Sequence, residues 1–478
     1  MERVLTTEQM RSADRYTIDV LGVDENTLVQ RAGDAVAQEI IKRFLGGRVL
    51  VCVGNGNNGA DGRVVAEILS KTHGFSVSVL NVSTGMFKLF DKKYDIIVDC
   101  IFGTGLNRIV EGKYRKVIEN INDSDAYVIS CDIPSGINGD NGKVMGVAVK
   151  ANLTIAIQEL KLGHFLGEGI EYSGNVIAKD IGISIWEDGV ANRLTNTSVS
   201  KYFKIKPRNV HKGSFGKSAI IGGSKDFSGS IILSKNALTA MKTGVGYSAV
   251  GVPESIFPYL VGTNPECILI SIKDNGNVMV LDIESLDKFL DYDCISVGMG
   301  LGTTEHGYQI VKYLLENFNG VLVIDADGLN CLAKYGLEIL KNKKCRVVLT
   351  PHIGEFSRLT GIEKGKIIEN PIEIAKDFAK EFDCVVLLKN AVSIITNGEQ
   401  TIINTTGCSG LAKAGSGDVL SGVLCGVLPR CEDLTLGVAV GAYVFGKAGE
   451  YATAKQNEYT VTASDVINEL TTVINEFR

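Results

Sequence analysis

Short, nearly continuous apolar runs recur along this chain, and most stop at a turn carrying glycine or aspartate before a segment of helical spacing begins. RVLVCV, YDIIVDCIF, YVISC and ANLTIAI in the first part, and KSAIIGG, SAVGV, CISVGMG, VLVIDADG, RVVLTPH and CVVLLKN in the second, are rich in Val and Ile and lack the alternation of a strand with one wet face. Such runs fit strands buried on both faces, as in parallel sheets covered by helices. Between them lie helix-like segments. Thr6 and Gln9 form a capping-box pair, Leu28, Ala32, Val36 and Ile40 fall at i, i+4 spacing, and Val117 and Ile121 mark another helix. SGSIILSKNALTAMKTG, GYQIVKYLLENF and the run from Val419 to Leu428 continue the pattern in the second part. Strand and helix alternating in this way predict an α/β protein with mostly parallel sheets.

The pattern lapses between Asn192 and Asn209, in NRLTNTSVSKYFKIKPRN, and 478 residues exceed what one core usually holds. Two domains are predicted, 1–193 with a Rossmann-like αβα arrangement and 194–478 with a second α/β sheet.

A net charge of -6 gives no general attraction to nucleic acid or to an anionic membrane surface. The 54 glycines exceed the usual share of about 7% and concentrate after the strand-like runs, where α/β proteins place small-molecule loops. Eleven cysteines occur without a CxxC pair, mostly inside apolar runs, so a reducing compartment is expected. The polar N-terminal stretch MERVLTTEQMRSADRY is unlike a signal segment, and the reading is a cytoplasmic protein.

Two stretches carry candidate chemistry. In KAGSGDVLSG (413–422) the small residues let backbone N–H groups converge on an anion at the start of a helix, with Asp418 beside them. Asp418 could cap that helix, or it could take a proton from a hydroxyl accepting a phosphoryl group. In GNGNNGADGRVVAEIL a glycine loop feeds a helix. Gly54, Gly56 and Gly59 satisfy GxGxxG, but the next strand ends in Asn81 and Val82 without the ribose-binding acid, which argues against a dinucleotide fingerprint. A solvent-facing Asn-Gly turn is the plain alternative. Asp99 and Asp132 end strands before glycine-bearing turns, so with this loop they should gather on one sheet edge, where open parallel sheets bind ligands.

The GSGD stretch resembles the anion hole of the ribokinase-like superfamily. With HKGSFGK, GMGLG, IDADGLN, TPHIGE and LLKNAVSII in that order, the region from about Val199 onward is similar to the NAD(P)H-hydrate dehydratases. The resemblance implies a ribokinase-like fold and ADP or ATP as phosphoryl donor with Mg²⁺. It implies Asp418, Ser230, Gly300 and His352 at the hydrate, and nucleotide contacts from Lys389, Asn390, Ala391, Val392, Ser393, Thr406, Gly407, Cys408, Ser409, Gly410, Leu411, Ala412, Lys413, Ala414, Gly415, Ser416 and Gly417. Ile353 and Ala414 depart from the family's usual proline and glycine.

QRAG, NNGAD, VDCIFGTGL, CDIPSGI and KLGH resemble the NAD(P)H-hydrate epimerases, so the whole chain is similar to repair enzymes in which the two are fused. That resemblance implies hydrate binding by Asn57, Asn58, Gly59, Ala60, Asp61, Gly103, Thr104, Gly105, Leu106, Asn107, Arg108, Ile109 and Asp132. It implies a potassium ion held by Asn58, Asp99 and Ser135. A carboxylate that takes the hydroxyl proton and returns one would serve both directions, and Asp132, aided by the cation and Lys161, is the candidate, with a cation ligand or a loop brace as the plain alternatives. A homo-oligomer is expected. Ala60 stands where the family has a glycine, and the connection TGMFKLFDKK is short where the family inserts a helix and a strand. The competing reading is a small-molecule kinase of the same superfamily carrying a non-catalytic N-terminal binding or assembly module.

Overall fold

The computed structural model describes residues 1–84, 93–186, 188–203, 207–239, 244–263 and 265–477. They divide into two units, Glu2–Asn192, and Arg193–Arg478 together with Met1.

The first unit contains β1 (Glu2–Leu5), β2 (Gly47–Val53), β3 (Phe75–Asn81), β4 (Ile96–Cys100), β5 (Tyr127–Cys131), β6 (Leu153–Ile157), β7 (Leu160–Lys161) and β8 (Asn175–Lys179). Six of these form a sheet in the order β3-β2-β4-β5-β6-β8, with every neighbouring pair parallel. The both-faces-buried pattern is visible in β2. Val49, Val51 and Val53 join a core with Leu28, Ala32, Val36 and Ile40. Leu50 and Cys52 join the opposite core with Val117, Ile118 and Ile121. Burying each such side chain stabilises the unit by roughly 1.5–3 kcal/mol, which fixes the register because a one-residue slip would exchange the two faces. Thr6 caps the helix Thr7–Asp19 through the expected box with Gln9. β1 pairs in parallel with β7, placing Leu5 opposite Lys161.

β9 (Ala191–Arg193) lies where the chain passes from one unit to the next. The second unit has β10 (Lys217–Ile221), β11 (Tyr247–Pro253), β12 (Ile268–Ile272), β13 (Cys294–Val297), β14 (Val321–Ile324), β15 (Arg346–Leu349), β16 (Val385–Leu388), β17 (Ser393–Thr396) and β18 (Thr401–Asn404). Their order is β12-β11-β10-β13-β14-β15-β16-β17-β18, parallel as far as β16 and antiparallel across the β16-β17-β18 meander. The helices Ser416–Val427, Leu434–Lys455 and Ala463–Asn475 pack into the core on one face.

The apolar runs mark the central strands correctly, but β8, β12 and the β17–β18 hairpin are not evident from them. β8 buries only Val176 fully and β12 only Ile272, because both are edge strands with weak apolar continuity. Residues 85–92, most of the short connection noted in the sequence, lie outside the described residues.

The turn that follows β2 is set by close packing. A Cβ on Gly59 would lie 2.1 Å from the Gly54 carbonyl oxygen, and one on Gly54 would lie 2.0 Å from that of Ile101. Gly59→Ala should therefore destabilise the first unit by about 1–3 kcal/mol or more through overpacking. Ala60→Gly, one residue on in the same helix, should cost no more than about 1 kcal/mol. Denaturant melts of the two variants check this, and a Gly59→Ala chain as stable as the parent would contradict it.

Candidate active sites

In the first unit the helix Asn57–Lys71 starts directly after an extended Gly56, so NNGAD is the first turn of a helix and not the loop read from the sequence. Asn57, Asn58 and Asp61 face a cavity of 610 Å³, together with Gly103, Thr104, Gly105, Leu106, Asn107, Arg108, Asp132 and Lys161. Gly59 and Ala60 do not line it, because Gly59 packs back onto the Gly54 carbonyl. Ile109 lines a smaller hollow of 260 Å³ with Phe102, Leu106, Arg108 and Tyr114.

Asp132, just past β5, has φ 67°, a left-handed conformation rare for a residue with a Cβ. Four contacts hold it there. Its N–H donates to Ile155 O at 2.8 Å, and its carbonyl lies 2.8 Å from His164 Nε2. Its Oδ1 accepts from Lys161 Nζ at 2.5 Å and from Ile157 N–H at 3.4 Å. Because His164 Nδ1 accepts from Lys161 N–H, Nε2 is the donor to that carbonyl. Burial opposes ionisation of Asp132, but the Lys161 ammonium outweighs it and holds the carboxyl below its usual range. A Cβ on Gly103 would lie 3.4 Å from Oδ2, an ordinary contact distance, so Gly103 borders that oxygen. Asp132 thus lines the cavity as a carboxylate held below its usual range, with Oδ1 engaged by Lys161. Asp61 is the opposite case, its carboxyl pushed up to about 8 by burial, with Asp132 and Asp14 adding to the rise.

The residues expected to hold a cation are also buried. Asp99 accepts from Ser130 Oγ at 2.8 Å, from Ser135 N–H at 2.9 Å and Oγ at 2.6 Å, and from Ile101 N–H at 3.2 Å. These donors are neutral, and burial raises its carboxyl despite them. Asn58 donates through Nδ2 to Cys131 O at 3.2 Å, while its buried Oδ1 has no partner among the described residues. An orphaned amide oxygen and a buried carboxylate without a cationic side chain fit a hard monovalent cation.

In the second unit the helix Ser416–Val427 begins after Gly415, whose φ of 92° is left-handed. Asp418 is the acidic residue of its first turn, and the N-cap position itself is Gly415, which has no side chain to cap it. Burial pushes its carboxyl up to about 6, Asp325 adds to the rise, and a hydrogen bond with Ser230 opposes it. Gly300, at φ 63°, is tight against Phe227 and Ser230, so Ser230, Gly300 and Asp418 converge. Asp327 secures the Gly300 turn by accepting from Gly302 N–H at 2.9 Å and Thr303 Oγ1 at 3.0 Å. His352 caps the helix Ile353–Thr360, its Nδ1 accepting from Gly354 N–H at 2.9 Å and Glu355 N–H at 3.2 Å. Burial and the nearby Lys389 lower its pKa, leaving a neutral ring with Nε2–H as donor.

Beneath Asp418 lies a pair that the sequence reading did not single out. Asp325, at the end of β14, accepts from Lys389 Nζ at 2.8 Å and Ser421 Oγ at 2.8 Å. Burial opposes its ionisation, but Lys389 holds it below the usual carboxylate range. Lys389, expected at the nucleotide, donates to Asp325, and its Nζ would lie 3.5 Å from a Cβ on Gly417 at the start of the helix. Asn390, Ala391 and Val392 form the turn into β17, which Ser393 opens.

The segment from Thr406 to Lys413 is anchored on the helix Leu434–Lys455 and the turn after it. Thr406 Oγ1 is 3.1 Å from Tyr443 O, Gly407 N–H donates to Glu450 at 2.9 Å, and Cys408 Sγ is 3.1 Å from Thr453 Oγ1. Gly410 packs on Thr453 and Leu411 on Gly449. Lys413 Nζ donates to the carbonyls of Tyr459 and Val461, both at 2.7 Å, so it too bridges protein groups. Ser409, Ala412 and Ala414 are exposed, while Ser416 is buried and Gly417 half-buried.

Residues 218–472 match the family described as NAD(P)H-hydrate dehydratase, and residues 25–89 and 81–163 match that described as YjeF-related protein N-terminus. The chain is 32% identical to the bifunctional NAD(P)H-hydrate repair enzyme Nnr of Thermofilum pendens, over 100% of this chain and 97% of that protein. The chain belongs to the family of bifunctional NAD(P)H-hydrate repair enzymes. Its relative from Moorella thermoacetica is 31% identical over 98% of this chain and 96% of that one. Among solved structures, the ADP/ATP-dependent NAD(P)H-hydrate dehydratase from Bacillus subtilis, co-crystallized with ATP/Mg²⁺, superposes with TM-score 0.52 at 27% identity, covering 60% of this chain and 99% of its own. A ribokinase-like superfamily protein from Enterococcus faecalis, at 22% identity and TM-score 0.53 over 62% of this chain and 99% of its own, shares the fold. The α/β architecture expected from the sequence, Rossmann-like then ribokinase-like, is thus that of this repair-enzyme family. Among the described residues no helix is long and apolar enough to cross a membrane.

Removing Lys389 would strand the Asp325 charge. Lys389→Met should destabilise the second unit by about 3–5 kcal/mol, and Asp325→Asn in the same chain should restore part of the loss. Denaturant unfolding of the single and double variants measures it; purely additive losses would show that the two groups are not coupled.

Proposed function

We infer that this chain repairs hydrated nicotinamide cofactors: its first unit interconverts the R and S hydrates of NAD(P)H, and its second dehydrates the S hydrate using ADP or ATP. The reading is carried by the repeated placement of a buried carboxylate–lysine pair at the end of a parallel strand, Asp132 with Lys161 and Asp325 with Lys389, beside a glycine turn and a proton-handling carboxyl.

The hydrate carries a hydroxyl and the ring nitrogen on C6. In the first unit Asp132 Oδ2 takes the hydroxyl proton, the C6–O bond becomes a carbonyl, and the C6–N1 bond electrons pass to nitrogen, which gains a proton. Rotation and reclosure from the other face return the proton to oxygen and invert the centre. Asn57, Asn58, Asp61, Arg108 and the residues 103–107 would hold the substrate. Asn58, Asp99 and Ser135 would hold potassium, which when bound offsets the buried Asp99 charge and adds positive potential under the cavity.

In the second unit Asp418 takes the proton of the same hydroxyl as its oxygen attacks the terminal phosphoryl group of the nucleotide. The N–H groups of residues 414–417, at the start of a helix, stabilise the phosphoryl oxygens. Loss of phosphate from C6 and of a proton from C5 then restores the ring double bond, phosphate being a far better leaving group than hydroxide. Ser230 and Gly300 place the hydrate, and His352 Nε2–H is its third contact. Residues 389–393 and 406–413 cradle the nucleotide, with the Lys389 ammonium, paired to Asp325, beside Gly417 and the Lys413 ammonium held by the Tyr459 and Val461 carbonyls. The Asp418 carboxylate is the kind of hard oxygen donor that suits Mg²⁺ carried on nucleotide phosphates, and that ion would neutralise charge on the transferring group.

The two halves separate by mutation. Asp418→Asn should lower nucleotide-driven dehydration by about 10²–10⁴-fold while epimerisation persists, and Asp132→Asn should do the reverse. Absorbance recovery from purified S hydrate and chromatographic separation of the two hydrates measure each arm. Equal activity in either variant would remove that residue from its step. Because Asp418 works ionised and its carboxyl sits at about 6, kcat/KM for dehydration should fall as pH drops through about 6. A flat profile between about pH 5 and pH 8 would contradict the assignment.

A further inference from the structure

We propose that Asp61 is the general acid of the epimerase site, protonating the ring nitrogen of the hydrate as the C6–N1 bond opens and recovering that proton as the ring recloses. This rests on the epimerase reading of the first unit and supplies the proton donor which that reaction needs.

The geometry sets Asp61 apart from the other carboxyls of the unit. It sits on the second residue of the helix turn beyond Gly59, is 8% exposed, and lines the cavity with Asp132. Asp99 accepts from serine and backbone donors, and Asp132 is held by Lys161. The Asp61 carboxyl has no hydrogen bond or ion pair with any described residue. Its oxygens are not among the fully sealed unpartnered atoms, and the side chain lines the cavity, where a ligand can reach it.

Its protonation state follows from its surroundings. Asp14 faces it from the helix Thr7–Asp19, and Asp132 faces it from the end of β5. Lys161 is committed to Asp132 and Ile157 O, Glu25 accepts from Asn57 Nδ2, and Arg11 donates to Thr104 O. The chain's own charges that raise the Asp61 carboxyl are therefore negative, and with burial they push it up to about 8, while Arg108 on the cavity wall and potassium held by Asn58 and Asp99 would act in the opposite direction. Asp132 is ionised in the same cavity. Two carboxyls pushed to opposite protonation states make an acid–base pair.

The step balances within the site. The hydroxyl proton goes to Asp132, the C–N bond electrons go to N1, and the Asp61 proton goes to N1. Reclosure on the other face reverses each transfer, so no oxidant, reductant or further reactant is needed.

Asp61→Asn tests this in the full-length chain. The amide keeps a hydrogen-bond donor of similar shape but cannot deliver a proton, so kcat for epimerisation should fall at least about 100-fold while KM stays within about threefold. Rates are normalised to the same preparation's dehydration of S hydrate. Unchanged kcat, or a loss confined to KM, would overturn the proposal while leaving the epimerase reading in place. Absence of epimerisation by the unaltered chain would instead overturn that reading and the proposal with it. Should the variant not fold, the parent decides: its epimerisation kcat/KM should decline as pH rises through about 8, and a rate that stays level above that point would overturn the proposal.

Discussion

A carboxylate buried at the end of a parallel strand must be compensated, and this constraint organises both units. Asp132 is compensated by Lys161 and Asp325 by Lys389, each pair linking the carboxyl end of one strand to a residue on or just after a later one. Asp99 has only neutral donors. An unpaired buried charge costs several kcal/mol, so these pairings fix where strands end, which backbone turns left-handed, and which carboxyl oxygen is engaged. Asp132 shows the cost in its backbone, where a φ of 67° is held by contacts from β6, His164 and Lys161.

From that constraint the two chemistries diverge through the groups placed beside each pair. In the first unit the lysine engages one carboxylate oxygen and holds the Asp132 carboxyl below its usual range, while burial in the adjoining cavity pushes the Asp61 carboxyl up to about 8. In the second unit the lysine neutralises the deeper Asp325, and Asp418 lies above it at the start of a helix with its carboxyl at about 6. One arrangement suits a proton exchanged between two atoms of the same substrate. The other suits deprotonation of a hydroxyl facing a phosphoryl group. Both act on the same carbon of the same kind of molecule, which gives a physical reason for their presence in one chain: each epimer that the second unit cannot use is converted by the first.

Much of this was legible in the sequence. Strands buried on both faces announce themselves as continuous Val and Ile runs, and the aspartates ending them, Asp99 and Asp132, point to the ligand edge before any coordinates are seen. Edge strands such as β8 and β12 were not legible, because one face meets solvent and the run breaks up. Gly56, extended ahead of Asn57, turns NNGAD into a helical first turn, a distinction that residue spacing does not carry. Asp325 stood in plain view within IDADGLN, ending a strand as Asp132 does, and applying the same rule would have found it. Asp14 gave no local signal. It is one polar position on an amphipathic helix, and its relation to Asp61 arises only because that helix and the Asn57–Lys71 helix line the same cavity. The engagement of Lys389 and Lys413 within the protein was equally unreadable, since a lysine beside a phosphate loop has the same sequence signature whether it binds ligand or fold.

The central claim is that both units act in one repair sequence. The measurement that tests it most directly is the progress curve of reduced-nicotinamide absorbance from an equal mixture of R and S hydrates with the unaltered chain, potassium, Mg²⁺ and ADP or ATP. The account predicts recovery of the whole mixture, dependent on nucleotide and without a plateau when half of the substrate has been consumed. A fast phase that stalls at half recovery would contradict it by showing a dehydratase without a working epimerase, and no recovery with either nucleotide would contradict both halves.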